Sequence, residues 1–220
     1  MPSGEPVIGH EGRHGHRLGQ ALQRGTSMRY CVFSGSSWGV RAEYGRAANE
    51  LGELLVEAGI GLVYGGASIG LMGAVADAVL RKGGEVIGVI PQSLVDKEVA
   101  HNGLQDLRIT SSMHERKALM ADLSDGFIAL PGGIGTLEET FEIWTWAQLG
   151  YHVKPCALLN IEGFYEGLSS FLDTVLKEGF LKDIHRNMLI SEDDPKALLA
   201  AMTTYVAPPA GRKWITRENR

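Results

Sequence analysis

The chain predicts an α/β fold: a Rossmann-like, doubly wound parallel sheet with helices on both faces, in a single domain. Three observations carry that expectation. From Met28 onward, apolar runs of strand length alternate with segments of helical period. The runs are apolar enough to be buried on both faces, as in a parallel sheet held between helix layers. Glycine-rich turns follow several of the runs, where the carboxyl ends of strands in such a sheet hold ligands.

In chain order, residues 1–27 are rich in Gly, Arg and His, show no apolar periodicity and read as a disordered extension. His10, His14 and His16 could in principle bind a metal, but the stretch reads as a solvated tail, and no metal site is expected. The strand-like runs are RYCVFSG, IGLVYGG, EVIGVIP, GFIALPGG and KPCALLN, with a late MLI. Helical segments are predicted over about 40–58, 69–82, 112–123, 136–149, 163–178 and 195–203. Strand, helix and strand at these spacings imply right-handed crossovers. The stretch PQSLVDKEVAHNGLQDL has little periodicity and reads as a long connection, the kind of loop that contacts ligands. Glu98 and His101 are its candidate side chains, with His101 read as an exposed loop histidine. The domain is placed at 28–205, with a loosely held polar tail at 206–220.

Composition narrows the function. A length of 220 residues suits one domain with a sizeable core. No apolar run reaches the roughly 18 residues of a membrane span, and an apolar leader core is lacking, so neither membrane nor export is expected. Cys31 and Cys156, the two cysteines, lie in strand-like runs and read as reduced core residues of a cytoplasmic protein. A net charge of −5 gives no support for nucleic acid as a partner. The glycine turns lack both the dinucleotide fingerprint and the GK[ST] of a P-loop.

The turn PGGIGTLEET, residues 131–140, is the first candidate site. Gly132, Gly133 and Gly135 would permit dihedrals and close approach that a side chain forbids, and Thr136 would cap a helix starting near Leu137. First-turn N–H groups and the helix dipole would then attract an anion such as phosphate. A capping box, Thr136 to Glu139, would by itself account for those two residues but not for the glycines. The following helix carries apolar residues on two sides, which suggests a homodimer interface or deep burial in one domain. The second candidate is SMHERKALM, residues 112–120, with Ser112 as cap. Arg116 shares a stripe with Met113, Met120 and Leu123, so it needs an acidic partner, an anionic ligand or a route to the edge of the stripe. Lys117 and His114 flank it.

Taken together, PGGIGTLEE, MHERK, GGASIGLMG and EVIGVIP resemble the LONELY GUY family over roughly residues 28–205. That resemblance implies a cytokinin riboside 5′-monophosphate phosphoribohydrolase, an enzyme often labelled lysine decarboxylase. It would hydrolyse a nucleoside 5′-monophosphate, cytokinin-type or AMP, to free base and ribose 5-phosphate, commonly as a dimer and without a cofactor. By the same resemblance, Gly132, Gly133, Gly135 and Thr136 would hold the phosphate, with Ile134 at the open position of the motif. Arg116 and Glu139 would be the catalytic pair, and Glu98, Lys117 and Glu138 would contact the nucleotide. The rival expectation is a nucleotide-binding module that does not hydrolyse. Decarboxylase chemistry would need a Schiff-base lysine with supporting groups, and Lys117 beside Arg116 has no such surroundings in the sequence.

Overall fold

The computed structural model describes residues 28–97 and 99–208. Glu98, the extension at 1–27 with its three histidines, and the tail beyond residue 208 lie outside the described residues. Seven strands form one parallel sheet: β1 Arg29–Phe33, β2 Gly61–Tyr64, β3 Val86–Pro91, β4 Asp106–Thr110, β5 Gly126–Ala129, β6 Cys156–Leu159 and β7 Leu189–Glu192. Their spatial order is β4-β3-β2-β1-β5-β6-β7, so the winding direction reverses between β1 and β5. In β1, Tyr30 pairs with Leu62 on one side and Gly126 on the other.

Long helices alternate with the strands: α1 Ala42–Glu57, α2 Gly70–Arg81, α4 Met113–Leu123, α5 Ile134–Leu149, α6 Glu166–Lys177 and α8 Pro195–Thr203. The two-residue period of each strand divides the core. Tyr30, Val32, Leu62, Ile128 and Leu159 face α1, α2 and α8, whereas Cys31, Phe33, Val63, Phe127 and Leu158 face α4, α5 and α6. Helices α1 and α2 approach closely because residue 52 is glycine: a Cβ there would lie 2.7 Å from that of Ala78. Among the described residues, no helix is long and apolar enough to cross a membrane. Nor does any group of three or more His, Cys, Asp or Glu among them suit a metal ion.

The connection from Pro91 departs from the sequence expectation. It holds a short helix, α3 Gln92–Val95, and the edge strand β4, read above as irregular chain. Strand β4 is half-exposed and carries Asp106 and Arg108, which pair with each other. An edge strand of that composition lacks the apolar run that marks its buried neighbours. Another short helix, α7 Asp183–Arg186, was likewise not anticipated.

Candidate active site

Three glycine-rich turns, SGSSWG (34–39), YGGASIGLMG (64–73) and LPGGIGTLEE (130–139), meet at the carboxyl edge of the sheet, around the reversal between β1 and β5. A Cβ on Gly70 would lie 2.4 Å from the Ser36 backbone, and one on Gly35 would lie 3.3 Å from Gly132 Cα. Position 70 requires glycine, since the backbone there also adopts φ +57°, whereas at position 35 a Cβ would make a tight contact. Ser34 ends the β1 run there; its buried hydroxyl has no hydrogen-bond partner.

Helix α5 begins at Ile134, two to three residues earlier than its apolar pattern suggests. Its N-cap is Gly133, which makes no side-chain cap, and Thr136 lies inside the first turn, buried. The expected capping box from Thr136 to Glu139 therefore does not form. The capping arrangement occurs instead on α4, where Ser112 Oγ accepts from Glu115 N at 3.1 Å. Glu115 in turn accepts from the Ser111 N–H and hydroxyl, both at 2.7 Å. The dihedral argument for the α5 glycines is also corrected, since Gly132, Gly133 and Gly135 are not among the residues at positive φ. Their reasons differ. A Cβ on Gly132 would collide with Thr136 Oγ1 at 2.1 Å, whereas Cβ atoms on Gly133 and Gly135 would meet nothing within 4 Å. Gly132 is needed for packing, and the other two leave the helix entrance bare. Ile134 is exposed beside them. An open turn at the start of a 16-residue helix presents unpaired N–H groups and the positive end of the dipole.

Arg116 and Glu139 meet between α4 and α5. From α4, Arg116 reaches under the carboxyl ends of β2 and β3: Nε donates to Val89 O at 3.0 Å and Nη2 to Gly65 O at 3.4 Å. Nη1 lies 3.3 Å from Glu139 Oε1, and both side chains are about nine-tenths buried, at 9% and 12% exposure. Gly65 makes room for this arrangement, because a Cβ there would lie 2.3 Å from Nη2. Burial pushes the Glu139 carboxyl above the usual carboxylate range, while Arg116 pulls it back down. A buried carboxylate held by one arginine suits the stabilisation of positive charge formed nearby.

Lys117 points the same way from the next position of α4. Its Nζ lies 2.6 Å from Glu138 Oε1 and 2.8 Å from Glu142 Oε2. Burial works against the ammonium, but its hydrogen bond to Glu138 and its ion pair with Glu142 outweigh it and hold its pKa above the ordinary value. Glu142 was not singled out by the sequence, although its place four residues after Glu138 on one helix face was the available signal. A lysine kept charged between two carboxylates does not fit a pyridoxal Schiff base, which forms from a neutral amine. His114 is exposed and takes no part.

His101 contradicts its reading as an exposed loop residue. It is 9% exposed, with Nε2 3.0 Å from Asp77 Oδ1 and Nδ1 accepting from Gly103 N–H at 3.1 Å. On the α1 side of the glycine turns lies a recess of about 260 Å³ bordered by Trp38, Tyr44 and Phe164. No periodic signal in the sequence marks it, because its walls come from separate loops and from helices α1 and α2.

Comparison with known proteins adds to this geometry. A family model described as "Possible lysine decarboxylase" matches residues 72–202. A cytokinin riboside 5′-monophosphate phosphoribohydrolase of Oryza sativa subsp. japonica is 52% identical over 184 residues, 84% of this chain and 76% of that one. One of Arabidopsis thaliana is 48% identical over 187 residues, 85% of this chain and 87% of that one. Among solved structures, the molybdenum cofactor binding protein of Rippkaea orientalis shares the fold. It has a TM-score of 0.64 and 20% identity, with 82% of this chain and 98% of that one covered. The glycine turn, the Arg116–Glu139 pair and this degree of identity over most of the chain lead to one assignment: the chain belongs to the LONELY GUY family of cytokinin riboside 5′-monophosphate phosphoribohydrolases.

Proposed function

We propose that this enzyme hydrolyses the N-glycosidic bond of a purine nucleoside 5′-monophosphate, cytokinin-type or AMP, releasing free base and ribose 5-phosphate. The observation that carries the reading is the buried Arg116–Glu139 ion pair beside the bare N-terminal turn of α5. The phosphate docks on the first-turn N–H groups at Gly133, Ile134, Gly135 and Thr136, with Gly132 closing the turn behind it. Lys117 and Glu138 lie alongside as polar contacts for the nucleotide, and Glu98 belongs to that set by resemblance. A phosphate fixed there places the ribose within reach of Glu139, which is more deeply buried than Glu138 or Glu142, at 12% exposure against 51% and 26%. Cleavage develops positive charge on the ribose as the C1′–N bond lengthens. Glu139, ionised, stabilises that charge and takes a proton from the water that adds to C1′, while the base leaves with the C1′–N electron pair and acquires one proton, so that one water is divided between the two products. Arg116, 3.3 Å away through Nη1, orients the carboxylate. Binding energy from the remote phosphate serves to align the bond, the part of catalysis that positioning supplies.

The same reading makes the protein a cytoplasmic homodimer with a small-molecule nucleotide as substrate, with no nucleic-acid or membrane partner. Cys31 and Cys156 are free and buried, as suits a reducing compartment. Leu149, Tyr151 and Val153 are exposed next to a recess of about 490 Å³ bordered by Trp146, His152 and Lys154, an apolar face suited to a second copy. A panel of nucleoside monophosphates with base and ribose 5-phosphate both quantified tests the activity. Equimolar release of the two from AMP or an N6-prenylated AMP is expected. Binding without release would make the protein a carrier and overturn the reading.

A further inference from the structure

The loop between α3 and β4 is fastened to the β2–α2 turn at several points. Ser68 N–H donates to Val99 O at 3.0 Å and His101 N–H to Gly66 O at 2.8 Å, around an isolated antiparallel bridge from Ala67 to Ala100. The His101 ring then crosses to α2. Because Nδ1 accepts from Gly103 N–H, the ring proton resides on Nε2 and is donated to Asp77 Oδ1. Asp77 belongs to the helix that the β2–α2 turn leads into. Loop, turn and helix are thereby closed into one ring of contacts.

That turn also holds Arg116. The carbonyls of Gly65 and Gly66 are consecutive: the first accepts from Arg116 Nη2 and the second from His101 N–H. Neither residue has a side chain to fix its peptide, and Gly66 sits at φ +75°, so the direction of these carbonyls depends on what bonds to them. We infer that His101, clamped to Asp77, is a positioning residue. Through the Gly65–Gly66 peptides it holds the carbonyl cradle that aims Arg116 at Glu139. The inference rests on the hydrolytic role proposed for that pair, but the clamp itself can be observed without it.

Four forms of the full chain decide the matter: wild type, His101→Phe, Asp77→Ala and Asp77→Asn. Phenylalanine keeps the ring volume and loses both hydrogen bonds. Alanine removes the acceptor from a half-exposed helix position, so folding is preserved there even if the His101 variant misfolds. Asparagine retains an acceptor oxygen and is the conservative rescue. The first measurement is amide exchange in the free protein. His101→Phe and Asp77→Ala are expected to speed exchange of the Ser68 and His101 amides about tenfold or more relative to β2 and β3, with Asp77→Asn close to wild type. Unchanged exchange in both variants overturns the clamp.

The second measurement is the pH dependence of kcat/KM with AMP. Glu139 is surrounded by Arg116, Lys117, Glu138 and Glu142, and Arg116 is the nearest cation. Loosening Arg116 lets the Glu139 pKa rise, so the acidic limb should move upward by about half a pH unit or more in His101→Phe and Asp77→Ala. It should stay in place in Asp77→Asn. A fraction of dead enzyme lowers the profile without moving its limb. Faster exchange with an unmoved limb overturns the positioning role. Should the wild type release no ribose 5-phosphate, the hydrolytic reading fails, and the exchange measurement still decides the clamp.

Discussion

At the residue scale, Glu139 carries the sharpest expectation. It is not part of a helix cap, and glutamine keeps an oxygen able to accept from the buried Arg116, so this replacement removes charge and little structure. Glu139→Gln should lower turnover on the order of a hundredfold or more, with the thermal midpoint within a few degrees of wild type. Near-normal turnover would remove Glu139 from the chemistry. The raised pKa gives two opposite pH trends. Turnover needs the ionised carboxylate, so it should fall as pH drops through the raised value, above the ordinary range for glutamate. The stability linked to this group is fully present below the unfolded pKa and is lost as pH rises through the folded one. Arg116→Ala leaves that carboxylate buried without its cation. It should cost about 3 kcal/mol in chemical denaturation and move the acidic limb of activity to higher pH. A variant as stable and active as wild type would show that the arginine merely lies at the edge of its helix stripe. Both residues could be nominated from sequence, Arg116 because a charge on an apolar stripe demands a partner. That the partner is Glu139 is a distance between two helices, which no spacing within either one encodes.

At the scale of the element, the turn into α5 separates packing from binding. Gly132→Ala should destabilise the fold by about 1–3 kcal/mol, because the added methyl meets Thr136 Oγ1 and the Gly35 backbone N. Gly133→Ala and Gly135→Ala add a methyl into open space and should fold as well as wild type. They should raise KM on the order of tenfold by occupying the place of the phosphate oxygens. Calorimetry and steady-state kinetics on the three variants check this, and equal KM in all of them would move the anion elsewhere. The helix itself was legible from its period, but its start was not. Thr136-x-x-Glu139 has the letters of a capping box, yet the backbone enters the helix at Ile134 and uses Thr136 Oγ1 in packing against Gly132. Likewise β4 was missed because an edge strand needs to bury only one side of itself.

At the scale of the whole molecule, the exposed face of Leu149, Tyr151 and Val153 predicts self-association. Val153→Glu together with Tyr151→Glu should shift the protein from dimer to monomer in sedimentation, since like charges at the centre of an apolar interface repel and stay unpaired. A wild type that sediments as a monomer at micromolar concentration would refute the interface. The sequence by itself determined the order of buried strands and amphipathic helices, the placement of glycine turns at strand ends, and the residues of the two motifs. Those are properties of period and of local backbone freedom, which a linear chain carries in full. Only the tertiary structure decided that Lys117 is shared by Glu138 and Glu142, that His101 is buried against Asp77, and that Arg116 rests on the carbonyls of Gly65 and Val89. These contacts join segments from different strands and helices. Their energies depend on burial and distance, quantities that exist only once the sheet has brought its carboxyl ends together.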